Sequence, residues 1–99
     1  MAYRISVRKE AQADIYHTFS YYSQISSSLG GDFLESIDEV MSRISDGPLH
    51  YQIVYRDIRR ALCRRYPYAV FYQVHENILL VFGVFHIHKN PQEWQDRSP

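Results

Sequence analysis

Cysteine is nearly missing from this 99-residue sequence: Cys63 stands alone. One cysteine excludes an internal disulfide and fits a reducing compartment, so the expected location is the cytoplasm. Without a CxxC partner, Cys63 reads as a small buried hydrophobe rather than a nucleophile. Long hydrophobic runs are missing too. The longest, Ile78 to Phe85, falls far short of the roughly 20 residues of a membrane helix. The N-terminus has no basic-then-apolar leader pattern, and no membrane association is expected. Net charge is zero, with 11 Lys and Arg against 11 Asp and Glu, so non-specific attraction to nucleic acid should be weak. There is no internal repeat, low-complexity tract, Gly-rich phosphate loop, paired-carboxylate site or Ser-His-Asp set. What remains is globular: 45% hydrophobic residues and 15% aromatic ones, including nine tyrosines, enough for one domain over 1–99 with a single modest core.

Periodicity divides the chain. "YRISV" alternates Tyr3, Ile5 and Val7 with polar residues, as a half-buried strand does. From Arg8 the period becomes helical, with Ala11, Ile15, Phe19, Tyr22 and Ile25 on one stripe. "SQISSSLGG" is expected to break that helix. Phe33, Ile37, Val40, Met41 and Ile44 form a second stripe, closed by Gly47 and Pro48. A loop around "GPLHYQ" then leads to three strands, expected at about Asp57–Arg65, Tyr68–His75 and Ile78–His88. Glu76-Asn77 makes the last turn, with Asn77 suited to positive φ. The predicted fold is α+β: an N-terminal strand and an α-helical hairpin packed on a small, mainly antiparallel sheet.

Strict alternation across that turn puts Tyr68, Val70, Tyr72, Val74, Leu79, Val81 and Phe85 on one sheet face. Ala69, Phe71, Leu80, Phe82, Val84, His86 and His88 take the other. Both faces are apolar, so the one away from the helices needs the C-terminal segment, a second copy or a partner. Trp94, after the strand-breaking Pro91, is expected to fold back there as an anchor.

The neutral total hides an asymmetry. Between Arg8 and Asp46 seven acids face three bases, whereas between Arg56 and Arg65 only Asp57 opposes five arginines. "RRALCRRYPY" places Arg59, Arg60, Arg64 and Arg65 within seven positions, and strand alternation pairs Arg60 with Arg64 and separates them from Arg59 and Arg65. Like charges two apart on one strand face repel, which favours a binding role for carboxylates or phosphates. Charged protection of an edge strand is the other explanation, and the residues alone leave both open. His86 and His88 are expected to point the same way, but no third ligand is identifiable among His17, His50 and His75. Hydrogen bonding at the strand end or proton transfer suits them better than metal binding.

"YRISVRKEAQADIYHTFSYYS", "FLESIDEVMSRISDGP", "RRALCRRYPYAVFYQV" and "VFHIHKNPQEWQDR" together resemble the ParE/RelE toxin superfamily, and its ParE branch in particular, over nearly the whole chain. The resemblance implies a toxin of a type II toxin–antitoxin, or plasmid stabilisation, system, neutralised by a cognate antitoxin. A ParE-like toxin would inhibit DNA gyrase by binding, without a cofactor. A RelE-like one would be a metal-independent endoribonuclease cutting messenger RNA on the ribosome. In that alternative, Arg64 falls where such enzymes carry a catalytic arginine and His88 near a second basic position, with His86 beside it. Ile58 and Arg60 stand roughly where RelE itself has lysines, and Trp94 where such enzymes carry a tyrosine or another proton carrier. Tryptophan can be neither acid nor base, which favours the gyrase branch. The resemblance also turns Arg59, Arg60, Arg64, Arg65, Lys89 and Trp94 into expected contacts with antitoxin or target, in a homodimer or a toxin–antitoxin hetero-oligomer.

The histidines lack companions at metal-ligand spacing, so a chelator should leave thermal stability and activity unchanged. Stoichiometric zinc that survives dialysis, and whose removal unfolds the protein, would contradict this.

Overall fold

β1 (Arg4–Val7) opens the fold in a computed structural model that describes residues 3–99. Its alternation turns Ile5 and Val7 inward and leaves Arg4 and Ser6 exposed. α1 (Lys9–Ile25) and α2 (Ser27–Asp46) follow, joined by Ser26 alone in an extended conformation. The expected break at "SQISSSLGG" is therefore a single residue, and Ser27–Gly31 belong to α2. Serine and glycine are poor helix formers, but packing overrides propensity here. Gly30 is buried, and a Cβ on it would collide with the Ser23 side chain and crowd the Phe19 ring. Its bareness lets the two helices close at their junction. Phe33, Ile37, Val40 and Ile44 are buried as the stripe predicts, whereas Ile25 lies beyond the contact, 59% exposed.

A 3-10 turn at Pro48–His50 leads into β2 (Ile53–Tyr55), β3 (Ile58–Leu62), β4 (Tyr68–His75) and β5 (Ile78–His86). The strand order is β1-β5-β4-β3-β2, with β1 parallel to β5 and the other pairs antiparallel. Three expectations need correction. β2 lay in an expected loop: three residues with an irregular register are too short for alternation to show. β3 stops at Leu62 and β5 at His86, two or three residues early, because the chain turns to pack over α2 and into the C-terminal segment. The last turn takes its positive φ at Glu76 (55°), the first central position, and not at Asn77.

A bulge in β5 changes the faces. Phe71 pairs with Gly83 and Tyr72 with Val81, which leaves Phe82 as an extra residue. A one-residue insertion flips every side chain after it. Val84 therefore joins Val70, Tyr72, Leu79 and Val81 beneath the helices, and Phe85 joins Ala69, Phe71 and Phe82 on the far face. Alternation alone had placed Val84 and Phe85 the other way round. The far face is covered by α3 (Pro91–Arg97), started by Asn90, whose side chain accepts from the Gln92 N–H at 3.0 Å. Trp94 lies 6% exposed with its ring stacked on Phe71, centroids 4.8 Å apart.

Tyr72 spans the helix-side core, fully buried, and its hydroxyl donates to the Pro48 carbonyl at 2.5 Å. Burial pushes its phenol up to about 12. A folded-state value above the unfolded one means that the stabilisation is complete below about pH 10 and is lost as pH climbs through 12, about 2–3 kcal/mol in all. Denaturant midpoints measured from pH 8 to 12 should fall steeply for this protein. In Tyr72→Phe they should start about 1 kcal/mol lower and fall less. Parallel curves would remove Tyr72 as the cause.

Candidate functional site

The four arginines of "RRALCRRYPY" go to three places. Arg59 reaches from β3 to the Leu49 and Tyr51 carbonyls, at 3.2 and 2.7 Å, and ties the 3-10 turn and the segment after it to the sheet. Its neighbour Arg60 points to the opposite side by strand alternation and is half-buried. It borders a depression shared with Arg43, His50, Tyr51, Gln52 and Leu62. Arg64 and Arg65 lie past the end of β3, in the loop to β4, where they line a second depression with Glu35, Ser36 and Glu39 of α2. Alternation does not extend into that loop, so Arg60 and Arg64 are not paired on a strand face, and neither are Arg59 and Arg65. Nor is β3 an edge, since β2 lies outside it, and edge protection does not explain its charges.

Arg64 has its side chain 72% exposed, and among the described residues it makes one ion pair, with Glu39 at 3.9 Å. Glu39 is already held by Arg43 at 2.6 Å, which keeps its carboxyl below the usual range. Arg43 also donates to the Leu62 carbonyl at 2.9 Å, so it belongs to the fold. Arg64 and Arg65 keep their guanidinium donors available for carboxylates or phosphates, in the bidentate geometry that arginine favours. Beneath them Cys63 is buried, and burial pushes its thiol up, with a hydrogen bond from Ser36 acting the other way. It is held as a thiol, unsuited to nucleophilic attack.

The histidines stand elsewhere. His86 ends β5 edge-on to the Tyr68 ring at 5.2 Å, and its Nδ1 accepts the His88 N–H at 3.1 Å. His88 lies in the turn that follows, its ring 5.5 Å from that of His86. Among the described residues no three His, Cys, Asp or Glu side chains are grouped to hold a metal ion. His86 faces a third depression, lined also by His17, Tyr68 and Lys89 and closed by Asp14 and Arg97. Lys89 is 3.5 Å from Glu93, one helical turn away. Asp14 accepts from the Val84 N–H at 2.9 Å and from Arg97 at 2.5 Å, which joins α1, β5 and α3. Asp14 and Arg97 are 83 positions apart, and no local sequence signal marks either. Trp94, expected as a contact for a partner, has its ring in the far-face core.

Arg64 and His86 thus line different depressions. The arginine and the histidine that the RelE-like alternative would use at one phosphate are therefore not brought into one depression.

A family model described as the ParE toxin of type II toxin–antitoxin systems, parDE, matches residues 5–91. No curated protein matches the chain by sequence. Among solved structures, a chromosomal ParDE toxin–antitoxin system from P. aeruginosa is similar with a TM-score of 0.76 and 11% identity, covering 86% of this chain and 96% of that one. The RelBE2 toxin–antitoxin complex from Mycobacterium tuberculosis gives 0.63 and 18%, covering 87% and 99%. A free-state E. coli RelE toxin with two arginines changed to alanine gives 0.62 and 14%, covering 98% and 95%. Identities this low show a shared fold. No helix among the described residues is long and apolar enough to cross a membrane.

The placements separate structural from available arginines. Arg59→Ala should cost about 1–2 kcal/mol in denaturant unfolding, because two carbonyls lose a charged donor. Arg64→Ala and Arg65→Ala should stay within about 0.5 kcal/mol of the parent. Equal losses at all three would mean that the loop arginines also hold the fold together.

Proposed function

Because the chain belongs to the ParE toxins of type II toxin–antitoxin systems, we propose that it inhibits DNA gyrase by binding and is kept silent by a cognate antitoxin. The observation that carries this reading is that Arg64 and His86, the pair that a RelE-like ribonuclease would need together, line different depressions. Trp94 supports it, as a buried indole in the region where a nuclease needs a proton carrier. Zero net charge supports it as well, since a protein target asks for less non-specific attraction than RNA does. The antitoxin would bring an acidic segment to Arg60, Arg64 and Arg65, in the cytoplasm that the lone reduced cysteine suits. Folding of that segment on the toxin would mask the arginines and block the target.

The alternative is a RelE-like ribonuclease using Arg64 with His86 or His88, and one paired experiment decides. Purified protein should inhibit supercoiling by gyrase or trap its cleaved complex, while primer extension on messages from induced cells shows intact transcripts. Codon-phased cuts with unaffected gyrase would reject inhibition by binding, and Arg64→Ala should then abolish cutting while Trp94→Phe does not.

A further inference from the structure

The bond from the Val84 N–H to Asp14 seats α1 against the C-terminal half of β5. His17 and Thr18 follow Asp14 by one helical turn and share its side of α1. His86 follows Val84 by two positions and shares its side of the strand. Tyr68 is the cross-strand partner of His86. The Lys89 N–H bonds to the His86 carbonyl at 3.0 Å, which folds the chain back after β5. His17, Thr18, Tyr68, His86 and Lys89 therefore line one depression of about 280 Å³, with Val84 and Phe85 as its apolar wall. Asp14 is bonded there to Arg97, Lys89 lies 3.5 Å from Glu93, and His86 accepts from the His88 N–H. The side chains of His17, Thr18 and Tyr68 take part in none of these contacts. Because Nδ1 of His86 is an acceptor, the proton of the neutral ring sits on Nε2, and His86 enters the site as a donor.

We propose that this depression binds the phosphoryl group of a small phosphomonoester. Imidazole, hydroxyl and ammonium donors reach it from α1, from β4 and from the end of β5 and the turn beyond. Those donors select a phosphoryl group over a carboxylate. A planar carboxylate is best held by a guanidinium fork, and Arg97 on the wall is already bonded to Asp14 and laid over the Phe85 ring. Separate point donors on several sides suit a tetrahedral group that offers three oxygens. The volume is several times the ~30 Å³ share of one water, which leaves space for an organic body against the Tyr68 and Phe85 rings. Asp14 and Glu93 limit the size of the ligand, because their charges repel the further phosphates of a polynucleotide. Packing accounts for the edge-on contact of Tyr68 and His86, but not for the exposed His17 and Lys89 beside it.

The site is separate from Arg60, Arg64 and Arg65, so binding here neither needs nor excludes inhibition of gyrase. The test titrates the full chain at pH 7 with phenyl phosphate, followed by calorimetry and by the amide and imidazole NMR signals. Benzoate, which has the same ring and a planar carboxylate, serves as control. Phenyl phosphate should bind at least about tenfold more tightly than benzoate and move the signals of His17, Tyr68 and His86. Lys89→Ala should weaken binding about fivefold and His17→Ala about threefold. Glu93→Gln should instead tighten it about threefold, because Lys89 loses a competing partner. All three positions are exposed, so thermal melting should stay unchanged. Arg64→Glu should bind like the parent. Absence of saturable binding, equal binding of benzoate, loss of binding in Arg64→Glu or weaker binding in Glu93→Gln would each overturn the inference. Tighter binding of a single-stranded oligonucleotide without a terminal phosphate would overturn it as well.

Discussion

One carboxylate holds the three layers together. β1 ends at Val7 opposite Val81, so beyond that point the outer side of β5 has no neighbouring strand. A backbone donor left without a partner there would cost on the order of 1–3 kcal/mol. Asp14, projecting from α1, takes the Val84 N–H and with the same oxygen receives Arg97 from α3. Arg97 also lies over the Phe85 ring, 4.4 Å from its centroid. The bulge at Phe82 makes this arrangement useful, because it turns Phe85 to the far face, where Trp94 and α3 need an apolar bed. Without the bulge, Val84 and Phe85 would exchange faces and both cores would be mispacked.

The same economy sorts the charges. Arg43, Arg59 and Arg97 are committed to backbone carbonyls or carboxylates that join elements far apart in the chain. Arg64 and Arg65, in the loop after β3, and Arg4 and Arg8, along β1, carry positive charge that folding does not use. A neutral protein thus presents two basic places, one beside a helix and one along a sheet edge. That distribution suits a partner that wraps the body with an acidic chain better than it suits a polyanion bound by bulk charge. The histidine depression is separate from both, closed on one side by the Asp14–Arg97 pair.

Much of the fold is legible in the residues. The helical stripes, the alternation of β1 and the limits of β4 follow from the periods of apolar residues, because each reflects burial of one face. The basic cluster and the return of Trp94 to the sheet are readable for similar reasons, since charge density and an uncovered apolar face are properties of short stretches. Membership of the toxin family also rests on such stretches, and the match over residues 5–91 accords with them. Periodicity nevertheless carries through any loop, so it could not show that the strand stops at Leu62 and that Arg64 leaves the company of Arg60.

What only the tertiary structure decided is of another kind. The Phe82 bulge inserts one residue without a local signature, yet it changes which of Val84 and Phe85 lies under the helices. β2 is too short for a period and exists because β3 offers it a partner. The pairing of Asp14 with Arg97 joins positions that no window of sequence contains together. Composition and period determined that this chain would be an α+β domain with a helical hairpin, a basic cluster and a tryptophan anchor. Register and contacts between distant residues decided which arginines are free and which edge is open, because hydrogen bonds across the fold depend on where segments meet, and burial patterns report only which side of each segment is wet.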